Sequence, residues 1–272
     1  MKKNISHNVK KFLRKFTEYP LCKLEDRVVL NNKNSKIPPN VFQTWETNLF
    51  GRTHFNSLKL FRKNNPDLSF YLFDKEKRDD YMNSKWQHHP ISKIYFNALL
   101  GPLQSDIFRY CILFDLGGYY FDISKGCRIP LNQLHENNHE AIITYEDNTF
   151  FIPPSSPKHY NLLRPFNYFL QWGLAFAPKH NFLSKLIDEI CLISDFYKNK
   201  EFENPKLAVL NFTGPGMYTN VMRKYITDND ISSMKELDIK FNDQGIFNLK
   251  GSTFRHYQVP SYTYLKNIKI CN

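Results

Sequence analysis

Residues 102–131, PLQSDIFRYCILFDLGGYYFDISKGCRIPL, constrain the fold more than any other stretch of the chain. Pro102 suits a first helical turn, and Ile107, Tyr110, Cys111 and Phe114 recur at i, i+3, i+4 and i+7, which predicts an amphipathic helix over 103–116. Gly117 and Gly118 supply the positive φ that stops a helix. Beyond them a strand over 119–123 is expected. Its alternation puts Tyr120, Asp122 and Ser124 on one face and Tyr119, Phe121 and Ile123 on the other. A carboxylate leaving a buried strand is costly to keep charged unless it meets water, a cation or a donor. Asp106 and Arg109, three apart on the same helix, are able to face a common site.

The pattern S-D-x-x-R-Y-x-x-L-x-x-x-G-G-Y-Y-x-D resembles the signature of glycosyltransferase family 32. These are sugar-nucleotide enzymes with a DXD motif, among them capsular and other polysaccharide-building enzymes of bacteria and mannosyltransferases of fungi. Ile37 to Trp45 (IPPNVFQTW) is similar to the family's opening strand; Asn65-Pro66-Asp67 and Tyr71 to Asp74 are similar to the approach to its second strand and the strand itself. The resemblance covers roughly residues 37–131 and thins out in the C-terminal half. It departs at one position: Ser124 stands where the family pattern has a second Asp. A hydroxyl is a weaker ligand for a hard divalent cation than a carboxylate.

The resemblance implies a retaining transferase that moves a sugar from a nucleotide-sugar donor to a glycan or lipid-linked glycan acceptor, with Mn²⁺ or Mg²⁺ as cofactor. It implies an α/β fold: a single GT-A-like domain over 37–272 with a mainly parallel central sheet flanked by helices, preceded by a basic N-terminal helix and linker over 1–36. Surface polysaccharide synthesis, capsule or lipopolysaccharide, is the expected setting. Catalytic roles fall on Asp122, Asp106 and Arg109, and the metal on Asp122 with His256. Donor contacts fall on Gln43, Thr44, Trp45, Tyr120, Ser124, Thr213, Gly214 and His256 as well as Asp106 and Arg109. Glu146, Asp147 and Gln171 are candidates for the acceptor side, and Arg255 and Lys250 for the diphosphate.

The bland readings stand beside these. Asp122 also reads as a strand-end cap, Asp106 with Arg109 as a surface ion pair, Trp45 as a core residue, Thr213 as a helix cap and His256 as a structural histidine. Ser124 keeps open a non-catalytic protein that binds sugar nucleotide or glycan.

Elsewhere the pattern alternates strands and helices. Strands are expected at 41–45, 68–73 and 141–145, helices near 53–64, 182–193 and 217–224, and a long loop at 150–168. Five cysteines without C-x-x-C spacing argue against a zinc site or disulfide scaffold and for a reducing cytoplasm. Neither a long apolar span nor an apolar leader is visible. The net charge of +11 is concentrated at the start, where residues 1–36 hold ten Lys or Arg against three Asp or Glu. Val9, Phe12, Leu13 and Phe16 share a helical face with lysines and an arginine between them. Residues 1–16 thus read either as a helix on an anionic membrane, at its inner face, or as a solvated or self-packed segment. No nucleic-acid-binding motif accompanies the charge.

Overall fold

The computed structural model describes residues 16–30, 34–147, 151–243 and 246–272. The basic helix expected over 1–16 therefore lies, but for its last residue, outside the described residues. Strand β1 (Asn40–Thr44) leads through helix α1 (Arg52–Lys63) to β2 (Ser69–Phe73). Helices α2 (Lys75–Trp86), α3 (Pro90–Asn97) and α4 (Gly101–Leu116) precede β3 (Gly118–Phe121) and the short β4 (Lys125–Cys127). Strands β5 (Ala141–Ile143) and β6 (Gly173–Phe176) are followed by α5 (Asn181–Tyr197), β7 (Glu201–Phe202), α6 (Pro205–Phe212) and α7 (Pro215–Asp228). Strands β8 (Met234–Glu236), β9 (Ile246–Asn248) and β10 (Ile268–Lys269) complete the set.

Six strands form one sheet in the order β2-β1-β3-β6-β5-β8, and β4 pairs with β9 and β7 with β10. Strand β1 is parallel to both β2 and β3, with Val41 opposite Tyr119 and Phe70. Strand β6 alone runs against the rest, pairing Phe121 with Gly173 and Ala141 with Phe176. This is the mainly parallel, helix-flanked α/β sheet expected. Its consequence is positional. The ends of β1, β3 and β5 and the entry to β6 all lie on one edge, where ligands of open α/β sheets bind.

Alternating residues feed two cores. Phe42, Tyr120 and Leu174 pack with α4 and α5 on one face, while Val41, Tyr119, Phe121 and Ala175 pack with Leu58 and Phe61 of α1 on the other. The predicted alternation through 119–123 therefore holds. Helix α4 departs from the expectation. All residues from Asp106 to Leu113 are buried, because α3 and α5 cover the side that a surface helix leaves to water. Residues 22–30, expected to precede the domain, are attached to it: Cys22 bridges to Phe50, Arg27 bridges to Phe70, and Leu24 is buried in the core.

The glycine stop is enforced sterically. Gly117 has φ +60° and Gly118 φ +102°, and a Cβ on Gly118 would lie 2.5 Å from the Asn40 carbonyl oxygen. The chain thus turns out of α4 directly into pairing with β1. Helix α2 was not legible, since KEKRDDYMNSKW buries only Arg78, Met82 and Trp86. It is fixed instead by Asp74, whose carboxylate accepts from the Lys77 amide at 3.1 Å. No helix among the described residues is long and apolar enough to cross a membrane.

Candidate functional site

The site grows from a row of three charges. Arg109 Nη2 lies 3.1 Å from Asp106 Oδ1 and 3.2 Å from Asp122 Oδ1, and its Nη1 donates to the Gln171 carbonyl at 3.1 Å. Asp106 and Arg109 are both buried, so the surface ion pair is excluded. Burial opposes the Arg109 charge, but Tyr120, Asp122 and Asp106 around it hold the guanidinium firmly cationic. The Tyr120 ring lies beneath it at 4.6 Å.

Asp106 was expected to contact the donor, and its oxygens are already engaged. Gln171 Nε2 donates to Oδ1 at 2.9 Å, and Thr213 Oγ1 donates to Oδ2 at 3.0 Å. Burial pushes its carboxyl upward, against the pull of Arg109, Gln171 and Thr213. Its contacts make it a positioning residue: Asp106 holds Arg109, and Arg109 holds Asp122. Gln171 is likewise drawn inward from the acceptor side. Its amide also donates to the Tyr110 hydroxyl at 2.8 Å, and that hydroxyl donates to the Thr213 carbonyl at 2.7 Å. The structure thus brings Thr213 to Asp106; Gly214 follows it as the cap of α7.

Asp122 is the open end of the row, its side chain 34% exposed. The turn that carries it is braced from four directions. The Asp122 amide donates to the Trp172 carbonyl at 2.9 Å, and the Lys125 amide to the Asp122 carbonyl at 2.8 Å. His54 Nε2 meets the Ile123 carbonyl at 2.9 Å, and the Leu249 amide donates to the Ser124 carbonyl at 2.8 Å. Burial pushes the His54 imidazole down to about 4, so it is neutral and donates this bond. His54 and Trp172 carry no periodic or motif signal for these roles, and Tyr110 reads from its spacing only as part of an apolar helix face.

Around Asp122 stand Lys125, whose ammonium lies over the Trp172 ring at 4.3 Å, and Arg255, whose guanidinium lies over the Trp45 ring at 5.1 Å. His256 meets the edge of Trp45 at 6.0 Å. Burial pushes the His256 imidazole down, with Arg255 adding to the effect. On the opposite side burial raises the Glu146 carboxyl to about 7, a shift opposed by Lys125 and reinforced by Asp122. Asp147 points away and pairs with Lys240 at 2.7 Å. Thr44 is turned inward, donating to the Phe73 carbonyl at 2.7 Å and accepting from Arg78. Gln43 is fully buried at the same edge, and neither of its amide atoms has a partner among the described residues; the same is true of Trp45 Nε1. Such orphaned polar atoms mark a place where water or a ligand is received.

A divalent cation fits this site in one way. Among the described residues no group of three or more His, Cys, Asp or Glu is arranged to hold a metal, and no described contact joins His256 to Asp122. Tyr120 and Arg109 occupy Asp122 Oδ1, and no described contact engages Oδ2 of this partly exposed carboxylate. One carboxylate suffices for Mg²⁺ or Mn²⁺ when substrate phosphates and water supply the other ligands.

Residues 51–141 match the family model described as a glycosyltransferase sugar-binding region containing a DXD motif. The initiation-specific alpha-1,6-mannosyltransferase of Candida albicans is 24% identical over 214 residues, 72% of this chain and 55% of the relative. Its Schizosaccharomyces pombe counterpart is 27% identical over 205 residues, 71% of this chain and 50% of the relative. Inositol phosphoceramide mannosyltransferase 1 of the same yeast is 25% identical over 183 residues, 66% of this chain and 51% of the relative. The chain spans about half the length of the curated relatives it matches. These likenesses relate the chain to glycosyltransferases with a DXD sugar-binding region, and the matched stretch includes the α4–β3 unit that carries the charge row.

Proposed function

We propose that this protein is a hexosyltransferase that takes a nucleotide-sugar donor at the strand-end edge of its sheet and passes the sugar to a glycan or lipid-linked glycan. The observation that carries this is the row Asp106–Arg109–Asp122, which tethers one partly exposed carboxylate at the end of β3. The mannosyl-transferring relatives favour mannose as the sugar. Their names give no support to a capsule or lipopolysaccharide setting, so the acceptor is proposed only by class. Contact of residues 1–16 with an anionic membrane fits their mixture of lysines and apolar residues and a lipid-linked acceptor.

In this reading Asp122 Oδ2 would hold Mn²⁺ or Mg²⁺ jointly with the donor's diphosphate, and the cation would supply charge neutralisation at the leaving group. Gln43, Trp45 and His256 line the β1 side, where the donor's base and ribose would lie. Thr213 and Gln171 keep Asp106 and Arg109 from shifting as the donor binds. Glu146 lies across Asp122 from this wall and is the carboxyl available to the acceptor side. Retention is proposed to need no protein nucleophile. The acceptor hydroxyl forms its bond to the anomeric carbon as the bond to the phosphate oxygen breaks on the same face, and that oxygen takes the hydroxyl's proton.

The test is release of nucleoside diphosphate from a panel of UDP-, GDP- and CMP-sugars with Mn²⁺ and a soluble mannoside acceptor. The expected result is turnover of one donor, reduced on the order of 100-fold or more in Asp122→Asn, with the thermal melt unchanged. The replacement of a second carboxylate by Ser124 favours one other reading, a donor-binding protein without transfer. Donor binding with no release under any condition would select it.

A further inference from the structure

We propose that Lys125 and Arg255 form a two-cation clamp for the donor's diphosphate, carrying charge that the missing carboxylate at Ser124 would otherwise have held through a metal. This rests on the nucleotide-sugar reading above. Lys125 directly follows Ser124, and its ammonium donates to Asn248 Oδ1 at 2.8 Å while lying across the Trp172 indole. Arg255 lies across the Trp45 indole on the opposite wall, and its Nε is buried with no partner among the described residues. Neither cation takes part in an ion pair among the described residues, whereas Arg109 and Lys240 nearby do.

The two groups are near enough to Asp122, and to one another, to feel each other's charge. Both are part-buried, and burial pulls both away from the charged form. A cation withdrawn from water without a counter-ion is unfavourable until an anion arrives. Trp45 follows β1 and Trp172 precedes β6, the two strands that flank β3, so the positive groups stand on either side of the Asp122 carboxylate, an arrangement that suits an anion carrying charge on two linked centres. A diphosphate meets this description, and its charge grows as the sugar bond breaks. Fixed cations placed where charge develops stabilise that step without reorganisation.

The experiment is calorimetric titration of the full chain with UDP, GDP, CDP and inorganic pyrophosphate, in EDTA and again in Mn²⁺. Wild type is compared with Lys125→Gln, Arg255→Gln, Arg255→Lys and a remote control, Lys200→Gln, with circular dichroism confirming the fold of each. Wild type is expected to bind one nucleoside diphosphate in EDTA, more weakly as salt rises. Lys125→Gln and Arg255→Gln are each expected to lose roughly tenfold or more, as for a charge-assisted hydrogen bond removed. Arg255→Lys is expected to recover part of the loss, and Lys200→Gln to bind as wild type does. Equal affinities in wild type and both glutamine variants, or wild-type binding only with Mn²⁺, would overturn the clamp and leave the donor reading standing. No binding by the folded wild type in either condition would remove the donor reading and the clamp together.

Discussion

Arg109 reaches Asp122 at 3.2 Å and so ties the middle of helix α4 to the end of strand β3. The same guanidinium serves Asp106 and the Gln171 carbonyl, so one side chain sets the relative position of three segments. A planar fork with five donors makes this possible; a single ammonium does not have the reach or the geometry.

Removing the fork leaves Asp106 buried and uncompensated. Arg109→Met is expected to lose about 3–5 kcal/mol of stability, the usual result of breaking one half of a buried pair. Arg109→Lys keeps the charge and is expected to lose less stability but to weaken nucleoside diphosphate binding, because Asp122 is no longer held. Urea unfolding gives the first quantity and calorimetry the second. An Arg109→Lys chain that binds as well as wild type would show that Asp122 needs no such tether.

Thr213 offers a gentler probe of the same network. It is fully buried, and its hydroxyl is a direct donor to Asp106 Oδ2. Thr213→Val conserves shape and removes that donor, at an expected cost of about 1–3 kcal/mol in urea unfolding. Thr213→Ser is expected to restore most of it. If valine and serine are equally stable, the bond contributes nothing.

How much of this was legible follows from the kind of signal each residue leaves. The strand alternation, the glycine pair and the carboxylate at the strand end are local, so the places of Asp122, Gly117 and Gly118 were read from spacing, and the role of Asp122 from the resemblance. Thr213 and Gln171 were named, but their meeting with Asp106 spans 107 and 65 residues of chain and follows only from the packing of α4 against the later helices and β6. His54 left no signal, because its role is one bond to a backbone carbonyl 69 residues away. The burial of α4 was misjudged for a related reason. Asp106 and Arg109 interrupt its apolar pattern, and their polarity reads as a solvent face until partners from other segments are known.

Gly118 tests the geometric part of that reading. At φ +102° a side chain is strained, and a Cβ would meet the Asn40 carbonyl oxygen, which belongs to the neighbouring β1. Gly118→Ala is expected to destabilise the chain by about 2 kcal/mol or more, since backbone strain and a clash act together. The urea midpoint measures it, with Gly216→Ala unsuitable as a control because its Cβ is also crowded. A chain unchanged by Gly118→Ala would mean that β1 and β3 can separate at this point at little cost.

Glu146 makes the pH dependence of stability predictable in sign. Burial lifts its carboxyl from the ordinary 4.5 to about 7, with Lys125 opposing and Asp122 assisting. Between those values the folded chain keeps a proton that the unfolded chain has released, so the unfolded state binds fewer protons and stability falls as pH rises. The contribution is fully present below about 4.5 and is lost as pH rises through about 7. Glu146→Gln cannot release that proton. Wild type is therefore expected to lose more of its urea midpoint than Glu146→Gln between about pH 5 and about pH 8. Comparing the two chains cancels the other titrating groups. Parallel pH profiles would show that Glu146 ionises as an ordinary surface carboxyl, and would remove it as the neutral group facing the acceptor at the pH where the transfer is assayed.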